Sequence, residues 1–106
     1  MINVVYKRKN HTLTVKGHAK SAENGHDLVC ASASVLCYTL ASALSDMKKT
    51  GDVKKCVIDL TAGNSTLSCK PYSNVESVVH LVFMTVCRGF ALLSRDYPNF
   101  INFEIR

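Results

Sequence analysis

Hydrophobic residues along this chain follow two periods in turn, and the switches between them mark out its elements. Residues 2–8 and 12–17 alternate apolar with polar positions, which predicts two strands; in the second, Leu13 and Val15 take one face while Thr12, Thr14 and Lys16 take the other. Asn10-His11 supplies the turn between them. From Leu28 to Lys49 the period lengthens, and Val29, Ala33, Leu36, Leu40, Ala43, Leu44 and Met47 form the buried stripe of a helix of about six turns. Lys48 and Lys49 suit the negative end of that helix, and Gly51 stops it. Alternation returns in Lys55–Leu60, with Cys56, Ile58 and Leu60 on one side, and again in Ser65–Lys70, with Leu67 and Cys69 inward. Ala62-Gly63-Asn64 turns between these two runs, so they predict an antiparallel hairpin. Pro71 and Ser73 or Asn74 open a second helix from about Val75 to Arg95, carrying Val78, Val79, Val82, Phe83, Val86, Phe90 and Leu93, and Pro98 ends it. A last alternating run, Asn99–Arg106, turns Ile101, Phe103 and Ile105 inward.

The order ββαββαβ predicts an α+β fold in a single domain, residues 1–106. Because the strands alternate, the sheet should have one buried face, be five-stranded and mainly antiparallel, and carry both long helices on that face. A chain of 106 residues that is 47% hydrophobic is large enough for one core without disulfide or metal staples. Its five cysteines, at 30, 37, 56, 69 and 87, are scattered, odd in number and free of CxxC pairs, which points to a reducing, cytoplasmic setting. The N-terminal residues place charge after a very short apolar run, so no export signal is read. Val75 to Val86 is broken by Glu76, Ser77, His80 and Thr85, and no membrane role is expected. The net charge of +5 invites a nucleic-acid partner, but the Lys and Arg residues occur in small groups without aromatic interleaving, so direct nucleic-acid binding is not expected.

Chemistry concentrates between the second strand and the first helix, in Gly17-His18-Ala19 and Gly25-His26-Asp27-Leu28-Val29-Cys30. Asp27 reads as the helix N-cap, with a competing reading as an orienter of His18, and Cys30 then falls at about the third helical position. There unpaired backbone N–H groups, its own included, would favour a thiolate and could hold an oxyanion. The polar loop between the motifs can bring His18 back toward Cys30, giving the minimal pair for acyl transfer to a thiol. That loop, Lys20 to Gly25, reads as a mobile lid, with Gly25 as its flexible point. Ser34 stands one turn after Cys30 on the same helix face. His26 is the rival base, while His11 and His80 read as structural and Cys37, Cys56, Cys69 and Cys87 as core. The spacing of His18, His26 and Cys30 lacks the compact pairs that a zinc site uses, so neither metal nor cofactor is expected.

GHA followed by GHDLVCA and Ser34 resembles the ribosomal-processing cysteine protease family Prp. The resemblance implies a cytoplasmic endopeptidase, acting as a homodimer, that removes the N-terminal extension of large-subunit ribosomal protein twenty-seven. His18 and Cys30 match the family's catalytic pair, with Gly17, Gly25, Asp27 and Ser34 in supporting places. Surplus apolar surface on the second helix would form part of the dimer contact. The competing reading is a non-catalytic ribosome-associated module in which Cys30 is inert and the basic surface binds RNA or protein.

Overall fold

The computed structural model describes residues 1–18 and 26–106, with the side chains of His26 and Asp27 left aside. Five strands, β1 (Ile2–Lys7), β2 (Thr12–Lys16), β3 (Val53–Thr61), β4 (Asn64–Pro71) and β5 (Ile101–Ile105), form one sheet in the order β3-β4-β2-β1-β5. Neighbours are antiparallel except β1 and β5, which run parallel. Two helices, α1 (His26–Lys49) and α2 (Glu76–Asp96), complete the expected ββαββαβ order, with a single 3₁₀ turn at Ser73–Val75 leading into α2.

One face of the sheet is dry. Ile2, Val4 and Tyr6 of β1, Leu13 of β2, Leu67 and Cys69 of β4 and Ile101 of β5 are buried there. Both helices lie on that face: α1 packs over β3 and β4, α2 over β5, and the two touch each other. Val29, Ala33, Cys37, Leu40, Ala41 and Leu44 supply the buried stripe of α1, spaced at the three- and four-residue steps that keep one helix side inward. From α2 come Val79, Phe83, Val86, Cys87 and Phe90, and Phe83 stacks on Tyr6 with ring centroids 5.2 Å apart. By length and apolar content alone both helices could cross a bilayer, which the broken run Val75–Val86 does not suggest. Part of their apolar surface is buried in the core shared with the sheet, through Leu40 and Leu44 of α1 and Phe83 and Phe90 of α2.

Three details depart from the sequence reading. Val78 faces outward, 53% exposed, because the inward stripe of α2 runs through Val79, Phe83 and Cys87. Ile105 at the end of β5 and Ile58 and Leu60 in β3 are also exposed, since these strands run past the helices that cover the middle of the sheet. Helix α1 already includes His26 and Asp27, which the capping pattern placed ahead of it.

Candidate active site

Strand β2 delivers the first functional group. At its end Gly17 takes φ +101°, a left-handed conformation that turns the chain out of the sheet, and a side chain there would overlap the carbonyl oxygen of Met1. His18 follows immediately, exposed, with its carbonyl accepting a 2.8 Å hydrogen bond from the Met1 nitrogen. The His18 backbone is therefore pinned to the start of the chain, and its ring lies beside Gly63.

Helix α1 delivers the second. Cys30 is half-buried and packs against the core edge beside buried Val29. Because α1 already includes His26, the N–H of Cys30 falls within the i→i−4 ladder. The expected use of that N–H as an oxyanion donor is corrected accordingly. Asp27 has helical backbone, whereas an N-cap residue has not, so its reading as the cap is corrected too. Its side chain and that of His26 lie outside the described residues, as do Gly25 and the whole proposed lid, 20–25.

His18 and Cys30 line one cleft of about 310 Å³, together with Gly17 and Ser34. Ser34 sits one turn beyond Cys30 and is exposed, so the helix face carrying the thiol continues as a polar wall. The opposite wall comes from a part of the chain not singled out by its motifs: Leu60, Thr61, Ala62 and Gly63, at the tip of the β3–β4 hairpin. Tyr38 and Leu60 add apolar surface beside His18 and Cys30. The hairpin arrives here because β4 pairs with β2 in a register that sets Asn64 opposite Lys16, and Gly17 N–H donates to the Gly63 carbonyl at 3.0 Å.

The remaining thiols and imidazoles are placed for other work. Burial pushes the thiols of Cys37, Cys69 and Cys87 up to about 11, and that of Cys56 upward as well, Lys48 partly opposing it. Such groups stay protonated at neutral pH and are poor nucleophiles. His11 is buried at the far end of β2 from His18, with Nε2 3.4 Å from Glu76 Oε1, and His80 Nδ1 lies 3.0 Å from the Tyr6 hydroxyl. Both therefore serve the core, as expected. Among the described residues no three His, Cys, Asp or Glu side chains gather closely enough to hold a metal ion.

A thiol and an imidazole facing one cleft, one on a helix and one on a strand end, form the constellation of thiol-dependent acyl transfer. Comparison with known proteins agrees. A family model described as cysteine protease Prp matches residues 1–102. No curated protein sequence matches the chain. Among solved structures, SMU.848 from Streptococcus mutans is 25% identical with a TM-score of 0.66, the match covering 98% of this chain and 90% of that one. The essential ribosomal processing protease Prp from S. aureus, in complex with a covalently linked product peptide, is 22% identical with a TM-score of 0.74 over 100% of both chains. The same protease in complex with a substrate peptide gives 19% and 0.73, again over 100% of both. With the family matched over nearly its whole length, this chain belongs to the cysteine protease Prp family and is a cysteine endopeptidase.

Proposed function

We propose that this enzyme removes the N-terminal extension of large-subunit ribosomal protein twenty-seven in the cytoplasm, with Cys30 as nucleophile and His18 as proton carrier. The observation that carries the assignment of residues is the shared cleft: of the two cysteines that line it with His18, Cys30 is half-buried, while Cys37 is buried with its thiol pushed up to about 11. The ribosomal substrate is supported by the S. aureus protease of the same fold, a ribosomal processing enzyme crystallised with substrate and covalently linked product peptides.

In this reading the Cys30 thiolate attacks the carbonyl carbon of the scissile peptide bond, and the carbonyl electrons move to oxygen. His18, as imidazolium, gives its proton to the departing amine as the C–N bond breaks, leaving a thioester on Cys30. The neutral imidazole then takes a proton from water, whose oxygen attacks the thioester carbon. The carboxylic product leaves and the thiolate returns. Ser34 and the hairpin tip form the walls along which the peptide lies. We also propose a homodimer, built on the outer side of the helix layer, where Leu28, Val35 and Tyr38 of α1 and Val78, Leu81 and Leu92 of α2 are each more than half exposed.

The test is incubation with an extended ribosomal protein twenty-seven, read by intact mass. Cys30→Ala should lower cleavage on the order of a thousandfold or more while changing stability by about 1 kcal/mol or less. His18→Ala should lower it by roughly 10²–10⁴ and should slow iodoacetamide labelling of Cys30 near neutral pH. Full cleavage by Cys30→Ala protein, or labelling of Cys30 no faster than of the buried cysteines, would overturn the assignment.

A further inference from the structure

The hairpin tip does more than wall the cleft. Gly63 has φ +76° at the second position of the two-residue turn between Thr61 and Asn64, a conformation that side chains rarely adopt. A Cβ built there would overlap His18 Nε2, would stand 2.5 Å from Cε1, and would lie 3.2 Å from Cδ2. The distal edge of the imidazole thus rests against bare backbone, in space that any side chain at 63 would fill. Among the described residues His18 hydrogen-bonds through its carbonyl, and the contact made by its ring is with the Gly63 turn. The turn is itself held in place by the Gly17 N–H bond to the Gly63 carbonyl, 3.0 Å long, which ties it to the residue just before His18.

We propose that Gly63 is a positioning residue for the reaction: its missing side chain seats the His18 imidazole in the cleft that Cys30 lines. The inference rests on the reading of His18 as proton carrier. A methyl at 63 would displace the ring edge or push the turn away from it, and a misplacement of about 1 Å in a catalytic group can cost roughly a hundredfold in rate.

A matched control exists in the same chain. Gly51 has φ +83°, and a Cβ there meets nothing within 4 Å. Gly51→Ala therefore carries the same backbone strain with no neighbour to disturb. We expect Gly63→Ala to lower kcat on the extended ribosomal protein by on the order of a hundredfold, with KM changed by less than about twofold, while Gly51→Ala keeps wild-type kinetics. Thermal midpoints of the two variants should fall by similar amounts. If Gly63→Ala does not fold, Gly63→Asn takes its place against Gly51→Asn, since asparagine tolerates positive φ yet still carries the offending Cβ. Iodoacetamide labelling of Cys30 gives a readout that needs no substrate, and it should slow in the Gly63 variant alone. In a double-mutant cycle, Gly63→Ala should add nothing to His18→Ala, because a displaced ring matters only while the ring is present. If His18→Ala keeps full activity, the proton-carrier reading falls and this inference with it. If His18→Ala is inactive but Gly63→Ala matches Gly51→Ala in kcat and in labelling, the positioning role alone is refuted.

Discussion

Raising the pH of the native enzyme should unfold it through its buried thiols. Cys37, Cys69 and Cys87 lie between the sheet and the helices, 6%, 4% and 2% exposed, and burial raises each from 9.0 to about 11. The folded protein therefore holds these protons more tightly than the unfolded chain. Below the unfolded value near pH 9 both states are protonated and stability does not change; between pH 9 and 11 the unfolded chain alone releases protons, so stability falls. Two units at about 1.36 kcal/mol each give about 3 kcal/mol per thiol, and the three together give an upper limit of about 8 kcal/mol. A domain of this size has on the order of 5–15 kcal/mol to lose. Tyr6, raised by burial from 10.0 to about 12, pulls the same way between pH 10 and 12.

The assay is urea unfolding followed by far-UV ellipticity, under reductant, at half-unit steps from pH 7 to 11. The midpoint should be level to about pH 8 and fall steeply above 9, with a limiting slope of about 4 kcal/mol per pH unit where all three thiols titrate only in the unfolded chain. Cys87→Ala should lower stability at pH 7 by leaving a small cavity, yet flatten the alkaline slope by about a third. A midpoint unchanged between pH 8 and 10.5 would refute the reasoning, since it would mean that the thiols ionise as easily inside as outside.

Two further outcomes test the packing. Phe83 is fully buried and stacked on Tyr6, so Phe83→Ala should cost about 3–5 kcal/mol in urea unfolding at neutral pH. Leu81 is 65% exposed on the outer side of α2, so if the proposed homodimer uses this face, Leu81→Glu should leave the fold intact and halve the mass seen in sedimentation; a mass unchanged from wild type would refute the proposed dimer face.

Much of the fold could be read from spacing because most of its instructions are local. Alternation gave the strands, the three- and four-residue steps gave the helices, and Lys48, Lys49 and the left-handed Gly51 marked where α1 stops. The parallel pairing of β5 with β1 was not legible, because alternating patterns at the two ends of a chain do not say which strands become neighbours. Asp27 misled for a local reason: a short carboxylate ahead of an apolar run is equally at home at the cap and inside the helix, and the helix already includes His26 before it. Val78 misled similarly. In Val78-Val79 either residue could face inward, and it was Cys87, four residues after Phe83, that completed the buried stripe.

The site divides along the same line. His18 and Cys30 stand in short motifs on either side of one loop, so their pairing could be proposed from sequence, and the structure sets both on one cleft. Gly63 stands far along the chain in an ordinary turn signal, and nothing around it announces a catalytic role. It meets His18 only because β4 inserts between β3 and β2, in a register that sets Asn64 against Lys16 and so brings the turn level with the point where Gly17 leaves the sheet. Since adjacent antiparallel strands flip their faces with every one-residue slip, that register is held by the buried pair Leu13 and Leu67, which face each other inside the core. The position of the imidazole is thus set partly by hydrophobic burial at the middle of the sheet. A substitution that loosens the Leu13–Leu67 pair should consequently disturb cleavage as well as stability, although neither residue approaches the cleft.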